Sequence, residues 1–143
     1  MEDRFKFRVF DYDENKMVYF SSLIGIEKPH HDRSSKPNLY NDYVYHKISN
    51  YMQSTGLKDI NGKLIFEGDI LKFYSQSIID AMAGEPLKER IGVAVWNEEE
   101  LKFDVSVDNG KNVVPNLCKK TDDNNFEIIG NTYENKELLE EQK

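Results

Sequence analysis

Hydrophobic and polar positions alternate from the start of the chain. In the segment 4–10, Phe5, Phe7 and Val9 share one side and Lys6 and Arg8 the other, the two-residue period of a half-buried strand. The polar stretch 11–16 reads as a turn, and Met17-Val18-Tyr19-Phe20 returns as a second strand, so the chain is expected to open with a β-hairpin over 4–26 that bends near Gly25. Between 27 and 42 the period vanishes and Pro29, Pro37, Ser34 and Ser35 accumulate, the signature of an exposed loop. Aromatic and β-branched residues resume at Tyr43-Val44-Tyr45 and reach Ile48, favouring a strand that Tyr51, Met52 and Gln53 continue.

The pattern then shortens. Asn61-Gly62 is a tight-turn signal because both residues tolerate positive φ, and Gly68-Asp69 marks a second turn before a strand at Ile70 to Tyr74. Residues 77–83 predict two helical turns stopped by Gly84 and Pro86. Gly92 to Trp96, a turn at Glu98-Glu99-Glu100, and the alternating Leu101, Phe103, Val105 and Val107 form the clearest hairpin in the chain. A final strand is expected over 126–130, and Asn135 is placed as N-cap of a terminal helical turn with Glu137 near its positive end.

These elements predict a mainly β fold: a small, strongly bent sheet or partly open barrel of SH3-like size, with an N-terminal hairpin and one or two short helices. An α+β arrangement is the alternative, since 76–83 and 135–141 can both be helical. The 143 residues suit one domain, with the hairpin at 4–26, the variable loop at 27–42, a β core over 43–130 and a tail from 131 to 143. Eight Phe, eight Tyr and one Trp supply the large side chains such a core needs.

Charge narrows the partners. Of the net −7, residues 1–73 contribute nothing, with 11 basic against 11 acidic side chains, while 74–143 hold 8 against 15. That balance disfavours general attraction to phosphate backbones, although a local basic patch can still bind nucleic acid. Cys118 stands alone and cannot close an intramolecular disulfide. With no basic leader running into an apolar stretch and no apolar run of membrane-spanning length, a cytoplasmic location is expected and a membrane partner is not.

Chemical motifs are weighed on spacing. Neither phosphate-loop pattern occurs around Gly56, Gly62 and Gly68, so these glycines read as turn residues, and no cofactor is implied. Asp59, Glu67 and Asp69 can supply paired carboxylates only if the turns bring them together. Asp59 is more simply an Asx-turn acceptor beside Asn61-Gly62, and Asp69 a turn or bulge acceptor at the start of its strand. His30, His31 and Asp32 are dense in potential ligands, but adjacent histidines point in different directions, and His46 is remote in sequence; no metal site is expected. Cys118 lacks the neighbours of a nucleophile.

The strongest binding cue is the interleaving of aromatics and positive charge at Lys36, Tyr40, Tyr43, Tyr45, Lys47 and Tyr51, the combination single-stranded nucleic acids stack on. The same tyrosines can pack in a core or a subunit interface, and Asp42 dilutes the charge.

Three blocks, in order, resemble the YopX family of small proteins of bacteriophages and prophages. Lys6-Phe7-Arg8-Val9-Phe10-Asp11 followed by Lys16-Met17 is similar to the family's opening. Met52-Gln53, Thr55-Gly56-Leu57-Lys58-Asp59, Asn61-Gly62-Lys63 and Phe66-Glu67-Gly68-Asp69-Ile70 are similar to its central signature. Glu127-Ile128-Ile129-Gly130-Asn131, Tyr133-Glu134-Asn135 and Leu138-Leu139 resemble its ending. The likeness fades over 27–45 and 75–91, and Lys136 stands where the family commonly has proline, which bears on the rigidity of that helix start. The resemblance implies a mainly β fold and a phage or prophage origin within a bacterial host, but no reaction and no catalytic residues.

By elimination the chain is expected to be a non-catalytic binding module, acting on another protein or on copies of itself as a homo-oligomer. A nucleic-acid-binding module in phage replication or expression is the first alternative. A metal-dependent hydrolytic enzyme is the second.

Overall fold

The computed structural model describes residues 6–20, 48–110, 112–114 and 126–140. Among the described residues the fold is mainly β, with one strongly curled, half-barrel sheet, a second sheet and two short helices, as the alternation predicts. By its internal contacts the chain divides between Gly56 and Leu57 into two units.

In the first unit β1 (Phe7–Asp11) and β2 (Lys16–Phe20) form the expected antiparallel hairpin, in register from Phe7 opposite Phe20 to Asp11 opposite Lys16. The turn closes because Asp11 Oδ1 accepts the backbone N–H of Asp13 at 2.9 Å and of Glu14 at 3.0 Å, an Asx turn that lets Asn15 take a φ of 54°. Phe7 and Phe20 stack across the pair at 6.2 Å. On its other side β1 pairs with the beginning of β3 (Met52–Lys58), Arg8 lying opposite Met52. Ser49 extends this edge, giving its N–H to Phe10 O and receiving Phe10 N–H on Oγ.

This placement corrects the expected polar face of the first strand. Arg8 is as buried as Val9 and Phe10, so both faces of β1 are covered. Period alone does not reveal that the polar face is covered as well.

The second unit holds β4 (Leu64–Phe66) and a five-stranded antiparallel sheet. The sheet runs β8-β7-β6-β5-β9, with β5 at Asp69–Ser75, β6 at Lys88–Asn97, β7 at Lys102–Val107, β8 at Asn112–Val114 and β9 at Glu127–Asn131. Helix α1 (Ile78–Met82) interrupts the β5 to β6 connection where helical turns were expected, and α2 (Glu137–Glu140) follows β9. The core gathers Ile65, Leu71, Phe73, Ala94, Val105, Val107 and Phe126, with Leu57, Phe103 and Ile128 packed against it. Phe73 and Phe126 meet at 5.1 Å and join β5 to the start of β9. A register shift between Ile70 and Leu71 bends β5 against β9, the device by which small sheets curl. One register beyond it, Lys72 Nζ meets Glu127 Oε2 at 2.9 Å directly across the pair, a contact that raises the Lys72 pKa and fixes alignment.

Leu101 departs from its expected inward face. It sits in the β6 to β7 turn at a φ of 52°, largely exposed, so the inward alternation begins only at Phe103.

Candidate functional site

The residues of the central and C-terminal blocks come together around main-chain amides. Asp59, buried at 4% exposure, turns Oδ1 to the N–H of Asn61 at 2.9 Å and of Lys63 at 2.8 Å, and Oδ2 to the N–H of Ile128 at 3.0 Å. One carboxylate thereby closes the turn carrying Asn61 and Gly62, whose φ is 78°, and fastens it to β9. Two backbone bonds lie beside it: Asp59 N to Lys63 O at 2.8 Å and Ile60 N to Phe126 O at 2.9 Å. Asp69, also buried, closes the next turn by accepting Phe66 N–H on Oδ2 at 2.8 Å, with Glu67 and Gly68 between them. Gly68 adopts a φ of 86° there, gives its N–H to Ala94 O and accepts that of Thr132, linking turn, sheet and C-terminal block.

The C-terminal block is built the same way. Asn131 Oδ1 accepts the N–H groups of Tyr133 and Glu134, and Asn135 Oδ1 accepts that of Asn131 at 3.1 Å. Asn135 therefore turns back to β9 instead of capping α2, which corrects its expected role. The reason is local: Gly130 leaves the room, because a Cβ there would lie 2.6 Å from Asn135 Oδ1. Gly56 takes a φ of 79° within β3, and Leu57 packs on the core.

The carboxylates raised as an acid/base or metal set thus act on the main chain at Asp59 and Asp69. Among the described residues no group of three or more His, Cys, Asp or Glu side chains is placed to hold a metal ion. Of the aromatic and basic surface, Tyr51 is half exposed and meets Phe20 edge-on at 6.0 Å. Tyr40, Tyr43, Tyr45 and Lys47 lie outside the described residues, as do Lys36, the loop at 27–42, His30, His31, Asp32, His46 and Cys118.

What sequence reading missed is the exposure of α1, whose helical turns were expected. It buries none of its residues: Ile78, Ile79 and Met82 are 80%, 79% and 85% exposed, and the following Leu87 is 59% exposed. A five-residue helix without packing is ordinarily marginal, since nucleation is costly and tertiary burial supplies most helix stability. Here both ends are tied. Ser77 Oγ accepts Asp80 N–H at 3.0 Å, and the Asp80 carboxylate hydrogen-bonds back to Ser77, a capping box with Asp in the third position. At the other end Gly84, at a φ of 75°, gives its N–H to Ala81 O while Glu85 gives its own to Asp80 O, the pair of bonds that defines a Schellman cap. Lys88 Nζ then lies 3.9 Å from Asp80 and 3.4 Å from Glu85.

These contacts set a pH dependence. The Ser77 hydroxyl, and after it the charge of Lys88, hold the Asp80 carboxyl below its ordinary value of 3.8. A depressed carboxylate stabilises the helix fully above its unfolded pKa and ceases to as pH falls through the lower, folded one. Acidification below 3.8 is expected to release α1 first, read as loss of amide protection at Ala81, Ala83 and Gly84 while the amides of β5 and β6 stay protected.

A separate cavity of about 280 Å³ opens against β6 and β7 between Gly92, Val93, Ser106, Asp108, Gly110 and Leu139. Asp108 Oδ2 at its rim lies 3.5 Å from Arg90 Nη2. No helix among the described residues is long and apolar enough to cross a membrane.

The model of the YopX protein family matches residues 6–140, nearly the whole chain. Among solved structures, that of protein EF1440 from Enterococcus faecalis is similar at a TM-score of 0.50 and 24% identity, covering 94% of this chain and 96% of that one, a likeness of fold. A search of the curated proteins finds no match.

Proposed function

This chain belongs to the YopX family, and from that premise we propose that it serves a phage or prophage as a non-catalytic protein-binding module, whose binding element is the apolar helix α1. The observation that supports this reading is the pairing of two features that oppose each other energetically: high apolar exposure and capping at both ends. Water disfavours exposed Ile78, Ile79 and Met82, yet Ser77, Asp80 and Gly84 hold them in one conformation. Such a preorganised face binds with little ordering cost, because its backbone is already fixed.

The block residues enter this function indirectly. Asp59, Asp69, Asn131 and Asn135 tie turns to strands, and the β5 to β6 hairpin they help to hold presents α1 at its end, where Ser75 pairs with Lys88.

The test replaces Ile79 by a photo-crosslinking phenylalanine analogue in the tagged full-length chain and irradiates cells that express it. A discrete protein adduct that disappears on Met82→Asp is the expected result. Adduct formation insensitive to Met82, or only diffuse labelling, would overturn the assignment of α1 as the binding element.

A further inference from the structure

Resting on that reading, we infer that the protein which covers α1 is a second copy of this chain, so that two copies meet face to face through Ile78, Ile79, Met82 and Leu87.

The apolar area supports it. At the exposures given above, these four side chains present on the order of 500 Å² of surface, near the upper end of the largest patch found on ordinary monomers. Two such faces closing on each other remove at most roughly 1,000 Å² from water, the lower limit of a specific interface and in the range of weak, transient ones. Pairing through these side chains is therefore weak and concentration-dependent.

The charges around the patch favour the same occupant. The whole chain carries −7, so two copies repel at long range. At α1, however, both carboxylates lie within 4 Å of one cation: Lys88 stands between Asp80 and Glu85. A face intended for a basic or acidic partner would hold its charges outward to attract it. This one contracts its charges onto each other and leaves the aliphatic groups forward, so a copy carrying the same residues meets no concentrated field of its own sign.

Symmetry completes the case. In a two-fold contact each residue of one copy that touches a position of the other is repaid by the reverse contact, so a patch must be complementary to itself. Ile78 and Met82 are four residues apart and share one side of the helix, and two antiparallel copies of so short a helix place Ile78 of each beside Met82 of the other. The unbranched, flexible side chain of Met82 can adapt its shape at such a seam.

The experiment is sedimentation velocity on the full chain from about 1 to 500 μM at 0.15 M salt, a salt level that screens net charge beyond roughly 8 Å. The wild type is expected to move from monomer to twice the monomer mass across that range. The Ile79→Asp, Met82→Asp double variant is expected to remain monomeric throughout, with an unchanged far-ultraviolet spectrum, since neither residue is buried. Wild type monomeric at 500 μM would overturn the inference, as would a dimer that the double variant retains. Photo-crosslinking at position 79 separates this failure from failure of the binding-module reading. An adduct of two chains supports the inference. A Met82-sensitive adduct with a different protein overturns the self-pairing and leaves α1 as the binding element.

Discussion

Asp59→Ala is expected to lower the unfolding free energy by about 3–4 kcal/mol, because three backbone N–H groups lose a charged acceptor at once. The contributions are unequal. Asn61 and Lys63 are exposed, so water takes over much of the role of Oδ1, whereas the Ile128 N–H lies on partly buried β9 beside buried Phe126, where water replaces Oδ2 less readily. For a chain of this length, each kcal/mol moves the melting temperature by roughly 2–4 °C, giving a drop on the order of 10 °C. Asp59→Asn separates the two halves of the latch. Its one remaining oxygen can serve the turn amides, but its NH₂ then faces the N–H of Ile128, donor against donor, for a cost of about 2 kcal/mol. Urea denaturation measures both totals, and hydrogen exchange at Ile128 should accelerate in both variants while exchange at Lys63 changes mainly in the alanine form. Equal stability of Asp59→Ala and wild type would remove Asp59 from this role.

What Asp59 does was half readable in the chain. Its local partners, Asn61 and Lys63, follow from turn chemistry within four residues. Its third, Ile128, is 69 residues away, and no spacing rule connects them; only the register of β9 against β5 makes that contact. The same boundary divides the other elements. The β6 and β7 hairpin was legible because Phe103, Val105 and Val107 keep a strict period, while Leu101 satisfied the period and still fell in the turn, since alternation does not record where the backbone reverses. The burial of Arg8 needed knowledge that both faces of β1 are covered, which the alternation within one strand does not record. Asn135 carried a correct N-cap pattern that was overridden by a closer acceptor role toward Asn131, available only because residue 130 has no side chain.

Helix α1 shows the limit most plainly. Its caps were visible: a Ser at 77, a Gly at 84 and a Pro at 86 bracket the segment. Its exposure was not. Apolar residues at helical spacing ordinarily mark a face turned to the core, and only the absence of buried residues in the folded chain reverses that meaning. A binding face and a core face have the same sequence, so the candidate tyrosine and lysine stretch, with its more conspicuous composition, drew attention that α1 did not.

Two glycines separate steric need from replaceable contact, and their variants should behave in opposite ways when a second substitution is added. A Cβ at Gly92 would lie 2.4 Å from Val105 Cγ1, 3.0 Å from Val107 Cγ1 and 2.8 Å from the backbone oxygen of Ser106. Val105 can be trimmed, but the Ser106 oxygen belongs to β7, which is held in register with β6 from Gly92 opposite Val107 to Asn97 opposite Lys102. Gly92→Ala is therefore expected to cost about 3 kcal/mol or more by overpacking, and adding Val105→Ala should deepen the loss, since it also empties a fully buried site. At Gly130 all three close atoms belong to one side chain, Asn135, at 2.6, 2.7 and 2.8 Å. Gly130→Ala must expel that side chain and release the Asn131 N–H it receives, at a cost of about 1–3 kcal/mol. Asn135→Gly removes every one of those atoms, so the double variant should be less unstable than the two single losses added together, with a coupling of about 1 kcal/mol or more. Chemical denaturation of the two cycles reads the outcome directly: recovery in the 92/105 pair, or strict additivity in the 130/135 pair, would contradict the packing from which both predictions are drawn.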